Sequence, residues 1–490
     1  MGPVSLGQEP HQGELRDLQA PVRRSRSGGL WGAENLWGGS SLQVLIGVQN
    51  MMVEVEATGA GRAQGSWRSW LIIIVLMLTM IFSLVDRFAI SLLVEPIKAD
   101  LRLTDSDIGL LSGIAFGLFY ACMGLPMGLL ADRWSRKGTI LLGVGVWSIA
   151  TAGCGLASNF FQLLLARIGV GAGEAGLAPA SYSIISDLFP RESLSRAMSV
   201  FQMGATLGSG IALWLVGIIF TSFTDGAGAR LIAGTGLAAW HATFLLVALP
   251  GLPFLLIIAS LRLNRTAAPA AGGAPAGTLV SALRRRPAFY GLSFATMSGL
   301  LLVNYAMLSW VPAFIQREFG SNPAEIGATY GAIMLLICPA AMIGGGWVAD
   351  FLDGRGVRGA HALIMLAAAV LVLLFALLLL RASTLAQVYV AVALIHFAVT
   401  LPVGVAPALI QLRTMPDVRA RIGALYVLIV NLVGLGIGPV IVGGLSDRMS
   451  GDPAGLRHSV ALVSLIVTGG ALATGLLLVR HLRKSGDDRR

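Results

Sequence analysis

Twelve apolar segments, most near or above the ~20 residues that a helix needs to cross a bilayer, fill most of this 490-residue chain. They lie near 70–95, 107–131, 138–157, 160–188, 196–220, 240–261, 287–315, 325–350, 360–381, 385–411, 421–446 and 458–481. Inside lipid every backbone N–H and C=O must be satisfied within the protein, so spanning segments are helices or the strands of a closed barrel. The length and continuous hydrophobicity of these runs select helices. The expected fold is all-α: a polytopic membrane protein with twelve transmembrane helices. Composition agrees, with 12% of residues charged and 55% hydrophobic, against about 25% charged in soluble chains.

The net charge of +10 follows the segments. The connection after the second carries Arg133, Arg136 and Lys137. That after the sixth carries Arg262, Arg265, Arg284, Arg285 and Arg286, and that after the tenth Arg413, Arg419 and Arg421. Odd-numbered connections are poor in basic residues. The positive-inside rule puts the even connections and both termini in the cytoplasm of a cell (inner) membrane protein. No basic patch on a soluble module accompanies the charge, so no nucleic-acid partner is expected. Cys122, Cys154 and Cys338 fall in apolar runs at no metal-ligand spacing and read as small core residues.

The domain organisation reads as follows. Residues 1–65 form a Gly-, Ser- and Arg-rich extension without helical pattern, and Met51 or Met52 is a plausible natural start. Six-helix bundles follow at 66–261 and 287–481, separated by a cytoplasmic linker at 262–286 and closed by a tail at 482–490. The two bundles echo each other. "GLLAD" (128–132) is matched by "GWVAD" (346–350), and "AGLAPA" (175–180) by "VGVAPA" (403–408). Parallel six-helix repeats are a transporter architecture, with the substrate site expected near the midplane between the halves.

The run "RIGVGAGEAGLAPA" (167–180) contains Gly171-x-Gly173-x-x-Gly176. A dinucleotide loop would need a strand before these glycines and a helix after them. Here they lie inside one apolar span, where glycines let helices approach closely. The same run holds Arg167 and Glu174, seven residues apart and so on one helix face. The first segment adds Asp86 and Arg87. Ionisable groups at membrane depth cost a few kcal/mol or more and face a cavity or a partner. These four, two of each sign, can compensate one another. Either they form a static network or they serve a transport cycle, and the latter is expected most of Glu174. At the repeat position of Glu174 stands Pro402. The second half offers Asn304, Tyr305, Tyr330, His396 and Asn431 and no carboxylate, with Tyr120 a further cavity candidate in the first half. His396 reads as a hydrogen-bonded core residue before a proton carrier. Charges on one side and an apolar wall on the other suit an amphipathic solute.

The "GLLADRWSRKG" stretch (128–138) resembles the cytoplasmic signature of the major facilitator superfamily through Gly128, Asp132, Arg133, Arg136 and Lys137, with Ser135 in place of a usual Gly. Gly346 and Asp350 match it in the second half, where the match then fades at Phe351. The resemblance implies a gate that latches one conformation. The stretches "DRFAIS", "GLLSGIAFGLFYACMGLPMGLLADRWSRK" and "RIGVGAGEAGLAPASYSIISDLFPRESLSRAMS" resemble the Spinster-like branch of that superfamily. That resemblance implies a proton-coupled transporter of a sphingolipid- or lysolipid-like molecule, with proton coupling and substrate binding at Asp86, Arg87, Arg167 and Glu174. Protons are the only coupling species it calls for; no metal or organic cofactor is implied. Organic-anion/proton symporters of the same superfamily place similar charges on the same helices. A sugar-acid-like substrate and a non-transporting sensor therefore stand as alternatives. No Ser/His/Asp set or metal motif suggests an enzyme, and a monomer in the bilayer is expected.

Overall fold

The computed structural model describes residues 67–261, 277–415, 418–449, 452 and 454–484. The extension at 1–65, with its two candidate start sites, and residues 485–490 of the tail lie outside the described residues. Among the described residues, twelve helices are long and apolar enough to span a membrane. They are α1 (Trp67–Leu92), α2 (Asp105–Arg133), α3 (Arg136–Cys154), α4 (Phe160–Leu188), α5 (Arg196–Thr224), α6 (Ala239–Ser260), α7 (Pro287–Phe319), α8 (Pro323–Gly354), α9 (Ala360–Arg381), α10 (Leu385–Leu412), α11 (Arg421–Arg448) and α12 (Gly455–Lys484). Each coincides with an expected segment to within a few residues. The described residues contain no strand.

Local chemistry sets many of the ends. Thr104 and Asp107 form a reciprocal capping box before α2. Asn159 and Thr384 cap α4 and α10 through their side chains. Asn322 caps α8, with Pro323 in the first turn. Gly320 closes α7 at φ +63°, a conformation that glycine adopts without strain.

Two sequence expectations differ from the structure. The second part of the expected linker is a helix, Gly277–Arg285. Leu279, Ala282 and Leu283 share one face, which packs on an apolar cluster around α7 and α12, while Arg284 and Arg285 sit favourably at its C-terminal end. Cys122 is exposed rather than part of the core, as are Met123, Leu125 and Pro126 beside it. Cys154 and Cys338 are buried as expected.

Among the described residues five spans are interrupted, α6 among them at Leu249 and Pro250. A distorted Gly113 breaks α2, with Ile114 beginning its second part. Ala175 and Gly176 break α4 immediately after Glu174. Pro179 cannot donate to the Ala175 carbonyl, so one helical hydrogen bond is missing at this break. A break at 401–404, around Pro402, divides α10. A π turn at Leu432–Ile437 interrupts α11. The breaks in α4 and α10 occupy corresponding positions of the two halves, and interrupted helices in such positions are where transporters place their sites.

Small residues bring the halves together. A Cβ on Gly113 would lie 2.6 Å from the Gly436 carbonyl oxygen, and one on Gly210 2.6 Å from that of Gly331. No side chain fits there, so α2 rests directly on α11 and α5 on α8. Further along the same helices, Gly124 and Gly423 have open space around them, and Gly128 meets only Pro179 of its own half. Among the described residues, the close glycine contacts across the halves thus lie toward the end of the odd connections, and α2 and α11 part toward the end of the even ones.

Candidate substrate site and gates

The four charges expected at depth meet where α1, α2, α3 and α4 converge. Asp86, Arg167 and Glu174 are at most 2% exposed. The Arg87 guanidinium holds Glu174 Oε2 through Nη2 at 2.5 Å and Nε at 3.1 Å. It also lies 4.7 Å from the ring centroids of both Phe116 and Tyr120, which stack on each other. Such aromatic faces favour a cation and exclude water from the ion pair.

The remaining pairing differs from the expected mutual compensation. Arg167 does not pair with Glu174. Its Nη1 and Nη2 reach the main-chain carbonyls of Asp86 and Arg87 at 3.4 Å, and its Nε that of Leu111 at 3.5 Å. Its guanidinium also stacks over Phe116. Neither carboxyl oxygen of Asp86 has a hydrogen-bond partner, nor does Oε1 of Glu174. The reason is steric. Seven residues of helix separate Arg167 from Glu174 by two turns, about 10 Å, and α1 fills the gap with Arg87.

The glycines of 171–176 act as spacers. A Cβ on Gly171 would lie 2.5 Å from the Phe116 carbonyl, and one on Gly173 2.7 Å from the Trp147 nitrogen. They let α4 press against α2 and α3, which brings Glu174 within reach of Arg87.

The second half contributes neutral polar groups. Tyr305 on α7 donates to Asn431 Oδ1 at 3.1 Å, just before the π turn of α11. His396 is fully buried, bonded through Nε2 to the Tyr330 hydroxyl at 2.7 Å and through Nδ1 to Asn304 Oδ1 at 3.2 Å. Tyr305 and Asn431 thus form one polar pair of the second half, and Tyr330, His396 and Asn304 a separate chain.

The signature after α2 divides its labour. Ser135 caps α3, accepting from Gly138 N at 3.0 Å, so a hydroxyl does useful work where the usual Gly is missing. Arg136 pairs with Asp187 at the end of α4. Lys137 donates to the Ala259 and Leu261 carbonyls at 2.5 and 2.7 Å, satisfying the end of α6. Asp132, Arg133 and Asp350 are exposed and have no ion-pair partner among the described residues. Gly128 and Gly346 make no close approach across the halves.

A second cluster escaped the sequence reading. At the odd-connection end, Arg317 of α7 forms a two-pronged pair with Asp105 of α2 at 2.9 and 3.0 Å, and reaches Glu95 at 2.7 Å. Lys98 also donates to Asp105, and Ser446 of α11 does so at 2.7 Å. Asp447 of α11 accepts from the Asp105 and Ser106 backbone nitrogens at 2.9 and 2.8 Å. It thereby caps α2 from the opposite half. The charges of "TDSD" and "LSDR" beside helix ends are the only sequence signal of this cluster.

Residues 76–439 match the Major Facilitator Superfamily. The chain belongs to that superfamily. It is 29% identical over 436 residues to an MFS-type efflux pump of Mycolicibacterium smegmatis, covering 86% of this chain and 95% of that protein. It is 27% identical over 430 residues to a probable L-galactonate transporter of Escherichia coli, covering 82% and 87%. Its fold superposes with a TM-score of 0.67, at 25% identity over 85% of this chain and 96% of the other, on a bacterial homologue of the human lysosomal transporter Spinster in an inward-facing, unoccupied conformation. The chain is a Spinster-like, multi-pass membrane transporter.

Proposed function

We propose that this transporter is proton-coupled and moves an amphipathic small molecule by alternating access between the bundles 66–261 and 287–481, acting as a monomer. The Arg87–Glu174 pair carries the reading. It is buried at a helix break and lies against the stacked rings of Phe116 and Tyr120, and the second half offers neutral polar groups such as the Tyr305–Asn431 pair and no carboxylate at this depth. An anionic or zwitterionic head group competes with Glu174 for Arg87, while an apolar body lies against the second half. Protonation of Glu174 removes its charge and releases Arg87, so proton and substrate occupancy are linked through one cation. The partnerless oxygens of Asp86 and Glu174 support proton exchange here, because a buried carboxylate without hydrogen bonds is costly. With the even connections in the cytoplasm, the splayed end faces inward. Asp132 and its neighbours then form the latch that closes this end in the opposite conformation.

Similarity to the probable L-galactonate transporter supports a second reading, uptake of a sugar acid whose carboxylate binds Arg87. Both are tested in proteoliposomes under an imposed proton gradient with lysophosphatidylcholine, sphingosine and galactonate as probes. Gradient-driven flux of an amphiphile that is lost in Glu174→Gln, with expression matched, is the expected result. Undiminished flux in that variant sinks the role of Glu174, and flux of galactonate alone replaces the first reading by the second.

A further inference from the structure

We propose that Asn304 on α7 determines specificity by presenting its side-chain NH2 to an uncharged acceptor oxygen of the substrate, with His396 and Tyr330 as the positioning residues that hold it in that orientation. This deepens the amphiphile-transport reading above, on which it rests, because it concerns a neutral group of the solute rather than its charged head.

The three side chains form one line of hydrogen bonds across α8, α10 and α7. The Tyr330 hydroxyl lies 2.7 Å from His396 Nε2, and His396 Nδ1 lies 3.2 Å from Asn304 Oδ1. Tyr330 and His396 are fully buried, whereas Asn304 is only partly so. Asn304 touches α10 through His396, and the adjacent Tyr305 touches α11 through Asn431. Thr296 and Gly299 of α7 meet α12. By helical spacing these two lie on the opposite side of α7 from Leu301, Asn304 and Tyr305. Those three residues are partly exposed and form a stripe between α10 and α11, directed away from α12.

Burial fixes where the protons of this line sit. A neutral imidazole donates from one nitrogen and accepts at the other. With a proton on Nε2, the Tyr330 hydroxyl would have to accept, and its own proton would find no acceptor among the described residues. In a place closed to water such an unmade bond is costly. With the proton on Nδ1, every buried member is satisfied: Tyr330 donates to Nε2, and Nδ1–H donates to Asn304 Oδ1. The amide oxygen is thereby committed and the NH2 is turned the other way. Nδ2 has no hydrogen-bond partner among the described residues and is not enclosed, so it is the open end of the line. An amide N–H donates and cannot accept, so it selects an acceptor and turns away an ammonium group. The line itself carries no charge, which suits an uncharged oxygen such as the carbonyl of an acyl ester or amide. An analogue lacking that oxygen would leave the donor unpaired and bind less well.

The test compares two lipids bound to the full chain in nanodiscs: acyl lysophosphatidylcholine and its alkyl-ether analogue, which keeps the head group and chain but has CH2 in place of the carbonyl. The wild-type protein should bind the acyl lipid about tenfold more tightly. In Asn304→Leu that preference should vanish through loss of acyl affinity, with ether affinity kept. Asn304→Ala stands in if the leucine variant fails to fold. His396→Phe and Tyr330→Phe should lower the preference by about threefold or more, although Asn304 is still present. Damage to the fold alone would weaken both lipids alike and keep their ratio. Nitrogen NMR of histidine-labelled protein, with the His396 signals identified by their loss in His396→Phe, should show a neutral ring protonated at Nδ1. A wild-type preference absent or reversed, an undiminished preference in Asn304→Leu, or a His396 ring protonated at Nε2 overturns the proposal. An unchanged preference in both His396→Phe and Tyr330→Phe overturns the positioning role. Binding of neither lipid overturns it as well, yet gradient-driven flux of sphingosine that is lost in Glu174→Gln would leave the amphiphile-transport reading standing.

Discussion

Arg317 and Asp105 are joined by two parallel hydrogen bonds, 2.9 and 3.0 Å, across the boundary between the two halves of the chain. Charge-assisted pairs of this geometry are among the stronger side-chain interactions, and Glu95, Lys98 and Ser446 converge on the same two groups. Arg317→Gln should favour separation of this end. If one such bond contributes about 1.5–3 kcal/mol, the population of the closed end falls roughly tenfold or more relative to the open one. Spin labels at Leu231 and Arg381, both exposed at this end, should report a longer mean distance in the variant. An unchanged distance distribution would show that glycine packing alone keeps this end shut.

Arg87→Lys should impair transport nearly as much as Arg87→Ala. Lysine keeps the charge but not the planar fork that reaches Glu174 through two nitrogens, nor the flat face between Phe116 and Tyr120. Binding of an amphiphile with an anionic head should weaken at least tenfold in both variants, measured by isothermal titration or scintillation proximity. Full affinity in Arg87→Lys would reduce the site to a point charge.

Gly171→Val should destabilise the protein by about 1–3 kcal/mol, the usual cost of overpacking, because its side chain would press on the Phe116 carbonyl of α2. The melting temperature in detergent should fall. Wild-type protein should gain no thermal stability from NAD or ATP. Protection by either would revive the nucleotide reading of the glycine run.

Topology is tested by labelling single cysteines on a background lacking Cys122, Cys154 and Cys338. A cysteine at Arg285 should react only from the cytoplasm and one at Leu231 only from outside; both positions are exposed. The reverse pattern would invert the orientation and make the splayed end outward-facing.

The spans were legible because a helix in lipid must be continuous and apolar for about twenty residues, a requirement visible in a single sequence. The four buried charges were legible for the same reason: Asp86, Arg87, Arg167 and Glu174 stand out where charge is expensive. Which charge meets which was not. The separation of Arg167 and Glu174 fixes a common face but not the entry of Arg87 between them. Asp105, Arg317 and Asp447 lie beside helix ends, where charged residues are ordinary, so nothing marked them as cross-half partners.

The sequence by itself determined twelve helices, their order, the repeat of the two halves and the identity of the charges buried within the first. These follow from local hydrophobicity and spacing, which depend on neighbours along the chain. Tertiary structure alone decided that Arg87 binds Glu174, that Asp86 is left without a partner, and that one end of the molecule is closed while the other is open. Those outcomes depend on how closely helices far apart in sequence can approach. That distance is set where glycines such as Gly113, Gly171 and Gly210 meet backbone from another helix, and the attraction between two charges weakens as it grows.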